Sequence, residues 1–223
     1  MISFFSFIRH GNYLEAIVFV LSGCFVVFLC TPVHEFAHGY VAYKLGDNTA
    51  KRQGRLTLNP LAHIDIFGMI MILLFGFGYA KAVPVNMRNF KNPKTGMALT
   101  GLAGPMSNLI MAFISIFLYY LCTAMFNSDL IIVSLITLFF YYAAFINVSL
   151  AVFNLLPIPP LDGSKIIAGV LPDRIYYKYM QYERYVIIVV FVLLLTGILD
   201  RPLSYLDNFM MNFISFIPRL IFG

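Results

Sequence analysis

His34 and His38 stand four residues apart in the run Cys30-Thr-Pro-Val-His-Glu-Phe-Ala-His-Gly39, with Glu35 between them. On a helix, residues four apart lie on one face. Two imidazoles at that spacing can share one zinc ion, and a glutamate next to the first histidine is placed to act as general base. Neutral imidazole is a good zinc ligand, and zinc lowers the pKa of a bound water towards 7. The segment just upstream, Tyr13 to Cys30, is strongly apolar. Ionisable groups within a membrane segment are expensive and are functional by default.

A catalytic zinc site needs a third protein ligand and one open position. The ligand must lie at the same depth as His34, which stands about 21 residues beyond Tyr13, or roughly 30 Å along a helix. That depth is near the far side of a bilayer entered at Tyr13. Asn154-Leu-Leu-Pro-Ile-Pro-Pro-Leu-Asp-Gly163 follows another apolar run that ends on that same side. Its prolines at 157, 159 and 160 forbid ordinary helix, and broken backbone at membrane depth requires protein or a cavity around it. Asp162 is therefore the expected third ligand. His63 and Asp65 form another polar pair, expected to serve loop packing and hydrogen bonding.

The elements that must position these groups are apolar. Of 223 residues, 61% are hydrophobic and 11% charged, which excludes an ordinary soluble domain. The expected fold is an all-α polytopic membrane protein, a single integral-membrane domain over 1–223. It has four to six transmembrane or partially inserted helices and a small membrane-associated β element. The first apolar segment runs from about Tyr13 to Leu45, either as one kinked helix or as two helices meeting at Thr31-Pro32. In the second case Thr31 would be the N-cap and Pro32 the first helical residue; Gly46 gives a natural stop. Residues 66–79 are apolar but only 14 long, which suits a re-entrant or interfacial piece. Val83-Pro84-Val85 predicts a short extended edge. Further spans are expected near Met97–Cys122, Leu130–Leu155 and Tyr185–Leu199, and 203–222 is either a last span or an in-plane helix.

The net charge is +5. With the N-terminus outside and 66–79 not crossing, the run of basic residues from Lys44 to Arg184, 12 of 15, falls on the cytoplasmic side. The Asn127-Ser128-Asp129 loop on the other side has no basic residue. The charge thus reports topology, with a lipid bilayer as the surroundings and no nucleic acid as a partner, since no basic helix is offered to a groove. Cys24, Cys30 and Cys122 lie in or beside apolar runs and are expected as small buried apolar residues without a disulfide framework. The N-terminal apolar stretch reads as a retained helix, because no small-residue cleavage site follows it.

HExxH in a membrane helix followed downstream by NxxPxPPLDG resembles the site-2 proteases, the intramembrane zinc metalloproteases of peptidase family M50. The resemblance extends from Tyr13 to about Leu199 and is to a minimal form without PDZ or CBS domains. It implies that His34, His38 and Asp162 ligate one Zn²⁺ and that Glu35 is the catalytic glutamate. It also implies that Asn154 orients substrate or steadies an oxyanion, and an amide donor suits the charge of a tetrahedral intermediate. The implied partner is a transmembrane protein substrate, and the implied location is a bacterial plasma membrane with the site towards the cytoplasm. Gly101-Leu-Ala-Gly-Pro-Met-Ser-Asn108 resembles the family's second motif. There Gly101 and Gly104 would let helices approach closely, and Asn108 is expected to bond between helices. Ile66 and Ala82 stand where close relatives often carry proline. A membrane metal transporter would instead thread polar ligands along a path across the bilayer, whereas this polar set gathers near one side.

Overall fold

In a computed structural model of the chain, residues 4–75, 80–126 and 130–222 are described. A short helix α1 (Phe4–Arg9) leads into α2 (Tyr13–Phe25), a π-helical turn Val26–Cys30 and α3 (Thr31–Lys44). Together these make one continuous 32-residue apolar rod, Tyr13–Lys44. Thr31 has helical backbone (φ −62°, ψ −43°) and so is not an N-cap; the chain does not restart at Thr31-Pro32. The π turn is the physical accommodation of Pro32, which has no N–H to donate and crowds the preceding turn. The Thr31 backbone N–H donates to Val26 O, and its hydroxyl reaches the same oxygen at 3.2 Å.

The rod ends in a Schellman motif. The Asp47 N–H donates to Ala42 O at 2.9 Å and the Gly46 N–H to Tyr43 O at 3.2 Å, with Gly46 at φ +111°. A short helix α4 (Thr49–Arg52) and a polar loop follow, then α5 (Ile66–Phe75), whose 10 residues are about half of what a bilayer requires. The rest of the 66–79 piece, residues 76–79, lies outside the described residues, as does the 127–129 loop.

Two long helices complete the frame, α6 (Pro93–Met125) and α7 (Ile131–Leu155). Asn92 caps α6 by accepting from Thr95 N–H at 3.3 Å, with Pro93 at the first position. These two and the Tyr13–Lys44 rod are the three described helices long and apolar enough to span a membrane. One core joins α2, the π turn, α5 and α7 through Phe19, Val26, Ile72 and Ile146. A second joins α6 and α7 to the C-terminal helix through Ile116, Phe145 and Met211.

After the proline break come α8 (Asp162–Ala168), α9 (Asp173–Gln181), α10 (Glu183–Leu195) and α11 (Asp200–Phe222). The span expected at Tyr185–Leu199 is a 13-residue helix, about 20 Å long, that ends in a turn at Gly197 (φ +72°). It is shorter than a membrane crossing. α11 buries Leu203, Asp207, Met211 and Ile214 on one face and exposes Tyr205, Phe209, Phe213 and Phe216 on the other. Among the described residues there is no β-strand: 80–86 carry no regular secondary structure, and the Lys81, Val83 and Asn86 N–H groups donate to His63 O, Glu35 Oε2 and Asp47 Oδ2. The expected β element is thus an irregular segment, not a strand.

Candidate metal centre

Helical spacing brings His34 and His38 to one face of α3, and the break after α7 delivers Asp162 to them. His38 Nε2 lies 3.0 Å from His34 Nε2 and 3.0 Å from Asp162 Oδ2, and His34 Nε2 lies 3.3 Å from that oxygen. All three side chains are buried. Among the described residues they form the one cluster of three or more such side chains that could hold a metal.

The donor set and its spacing fit zinc. Tetrahedral zinc with bonds of about 2.0–2.1 Å keeps its ligand atoms roughly 3.3 Å apart. The proton inventory points the same way. His38 Nδ1 lies 2.6 Å from Thr100 O, which can only accept, so the proton sits on Nδ1. In the neutral ring Nε2 is then a bare lone pair facing a carboxylate oxygen and a second imidazole nitrogen. Such a gathering of acceptors is stable around a shared cation. The Thr100 carbonyl is the outer partner that fixes tautomer and ring orientation.

Close backbone approach makes room for the cluster. A Cβ on Gly104 of α6 would run into His38 Nε2 and stand 2.6 Å from His34 Nε2. A Cβ on Gly101 would stand 2.8 Å from Lys165 Cβ and 2.9 Å from Asp162 O, and one on Gly163 would meet the Leu155 and Leu156 carbonyls. The two α6 glycines therefore seat α3 and α8, and Gly163 lets α8 fold back against the end of α7. Lys165, one turn after Asp162, donates to its other oxygen at 2.8 Å.

A cavity of about 210 Å³ opens beside the cluster, lined among others by Glu35, Val83, Asn108, Asn154 and Lys165. Glu35 Oε2 accepts the Val83 backbone N–H at 2.8 Å. Asn154 faces the cavity with one amide hydrogen committed to Leu150 O at 2.9 Å. Asn108 departs from expectation: its carbonyl oxygen is buried without a hydrogen-bond partner, and it lines the cavity rather than bonding between helices. His63 is buried, its Nε2 2.8 Å from Thr57 O, and Asp65 accepts Gly68 N–H at 2.9 Å, so each of the pair bonds to loop backbone. The three cysteines are free. Sequence reasoning missed Thr100, Lys165 and the Val83 amide. Lys165 alone carried a signal, three residues after Asp162 on a helix.

A family model for peptidase family M50 matches residues 122–197. The chain is 50% identical over 165 residues to "Putative zinc metalloprotease YwhC" of Bacillus subtilis, covering 74% of this chain and 75% of that protein. It is 28% identical over 200 residues to "Putative zinc metalloprotease Rip2" of Mycolicibacterium smegmatis, covering 87% of this chain and 73% of that one. It is 31% identical over 135 residues to "Putative zinc metalloprotease MJ0611" of Methanocaldococcus jannaschii, covering 60% and 62%. No solved structure matches the chain. With half its aligned residues shared across three quarters of a relative, this membrane-embedded chain belongs to peptidase family M50, the zinc metalloproteases of site-2 type.

Proposed function

We propose that the protein is an intramembrane zinc metalloprotease that hydrolyses peptide bonds within or near transmembrane segments of other membrane proteins. The observation that carries this reading is the convergence of His34, His38 and Asp162 with Glu35 on one cavity, set between helices of membrane length. His34, His38 and Asp162 would hold a single zinc ion. Zinc bound there supplies Lewis-acid polarisation of the substrate carbonyl and lowers the pKa of the attacking water.

The chain's own residues do the rest. Glu35 accepts the proton of the attacking water and returns it to the leaving amine. The Val83 N–H on its Oε2 holds the carboxylate rotamer and leaves Oε1 for the proton. Asn154 has a second amide hydrogen with which to meet negative charge developing on the substrate oxygen. Residues 80–87 run beside the cavity through Ala80, Ala82, Val83 and Val85, and an unwound substrate segment adds to them as a strand. Helix-breaking substitutions in that segment are expected to reduce cleavage while zinc content stays normal. The basic run from Lys44 to Arg184 supports a cytoplasmic position for this side of the protein, and the likeness to site-2 proteases supports a bacterial plasma membrane.

Glu35→Gln tests the reading. The purified variant should keep one zinc per chain by elemental analysis and lose cleavage of a membrane substrate by at least a hundredfold. Retained cleavage would remove Glu35 from the chemistry. Metal flux into vesicles that survives the substitution would favour a transporter.

A further inference from the structure

Asp47 is an odd residue for its position. It follows the last turn of α3, where the helix dipole disfavours negative charge, yet it is fully buried. Among the described residues no cation pairs with it; four hydrogen bonds do the compensating. Oδ1 accepts from Thr49 N–H at 3.0 Å, Thr49 Oγ1–H at 2.5 Å and Asn89 Nδ2–H at 2.7 Å, and Oδ2 accepts from Asn86 N–H at 2.6 Å. These bonds outweigh burial and keep its carboxyl below the ordinary carboxylate value. Two of the four cross about 40 residues of sequence, to the segment whose Val83 N–H binds Glu35.

That segment has few other anchors on the active-site side. Pro84 has no N–H. Arg55 Nη2 donates to Lys81 O at 2.6 Å, and the Lys81 N–H donates to His63 O at 2.8 Å. Both lie upstream of Val83. Downstream, the tie to α3 is Asp47, and the Schellman turn fixes where its side chain starts. A Cβ on Gly46 would stand 3.1 Å from Asn89 O, so the turn and the segment pack backbone to backbone.

We propose that Asp47 is a positioning residue for catalysis: it buckles residues 83–89 to the end of α3, so that Val83 N–H stays aimed at Glu35 and the segment stays against the cavity. One strap thereby sets both the general base and the surface that receives substrate. The proposal rests on the reading of Glu35 as general base.

The test is Asp47→Asn, which keeps Oδ1 for Thr49 and Asn89 but sets an amide NH₂ against the Asn86 N–H. Amide hydrogen exchange is followed in peptides covering 83–89, in detergent, without substrate. Cleavage is followed with a quenched fluorescent peptide built on an apolar segment of about 20 residues. Exchange in 83–89 should accelerate at least tenfold. kcat/KM should fall at least tenfold, mostly through kcat, because Glu35 loses its aim. Zinc stoichiometry should hold, and the variant should stay fully folded at the assay temperature. Unchanged exchange would overturn the strap, as would activity lost in step with zinc or with the folded fraction. If D47N is not recovered folded, Asn89→Ala carries the test from an exposed position: a threefold or greater rise in exchange supports the strap, and no rise overturns it. Fast exchange in D47N beside an unsubstituted protein that cleaves nothing would sink the proteolytic reading and leave the strap standing.

Discussion

Lys165 shows how much of the candidate centre lies beyond the three side chains that could hold a metal. Its ammonium, 2.8 Å from Asp162 Oδ1, occupies one carboxylate oxygen and leaves Oδ2 turned to the two histidines. The Thr100 carbonyl does the same for His38 by holding the Nδ1 proton. Outer partners of this kind typically change metal affinity by about 10–100-fold. Lys165→Met keeps the aliphatic stem and removes the charge. It is expected to weaken zinc binding by roughly that factor, read by competition with a chromophoric chelator, with helical content unchanged. An unaltered affinity would mean that the cavity holds Asp162 in place without the lysine.

At the scale of elements, small residues decide the geometry. α6 meets α3 and α8 along Gly101 and Gly104, and the His34 and His38 imidazoles occupy the space where a Gly104 side chain would be. Gly104→Ala is therefore expected to abolish stoichiometric zinc binding. Alanine is the better helix former, so α6 itself should persist. Elemental analysis and circular dichroism on one sample separate the two effects. A G104A protein with full zinc would show that α3 can retreat without cost. The π turn has its own local cause: Pro32 cannot donate, and the rod widens by one residue just before the histidines instead of breaking.

At the scale of the molecule, α11 is held to the spans by a core with a polar rivet in it. Asp207 is almost fully buried, and Ser149 of α7 donates to it at 2.9 Å. Asp207→Ala should cost about 1–3 kcal/mol. That lowers the thermal midpoint in detergent by roughly 2–4 °C for each kcal/mol in a chain of this size. Zinc binding should be untouched, because the pair lies outside the metal cluster. Loss of zinc at full helicity would instead tie α11 to the site.

The sequence by itself determined whatever depends on local spacing or on bulk composition. Histidines four apart must share a helix face, 18 or more apolar residues must seek a bilayer, and Pro157 to Pro160 must end α7. From these, the gathering of His34, His38 and Asp162 could be expected, and the structure brings the three together. Gly46 announced the end of the rod because a Schellman turn needs positive φ there. Only the tertiary structure decided what depends on partners distant in sequence. Thr31 was a plausible cap until packing kept the rod helical through it. Asn108 looked like a bond between helices until its oxygen proved to be buried without a hydrogen-bond partner. The 13-residue α10 came out shorter than its apolar run suggested, because Gly197 turns the chain. The Val83–Glu35 bond spans 48 positions and the Asp47–Asn89 bond 42. No periodicity encodes such contacts, since they exist only once helices of fixed length and small-residue seams have brought the two loops together.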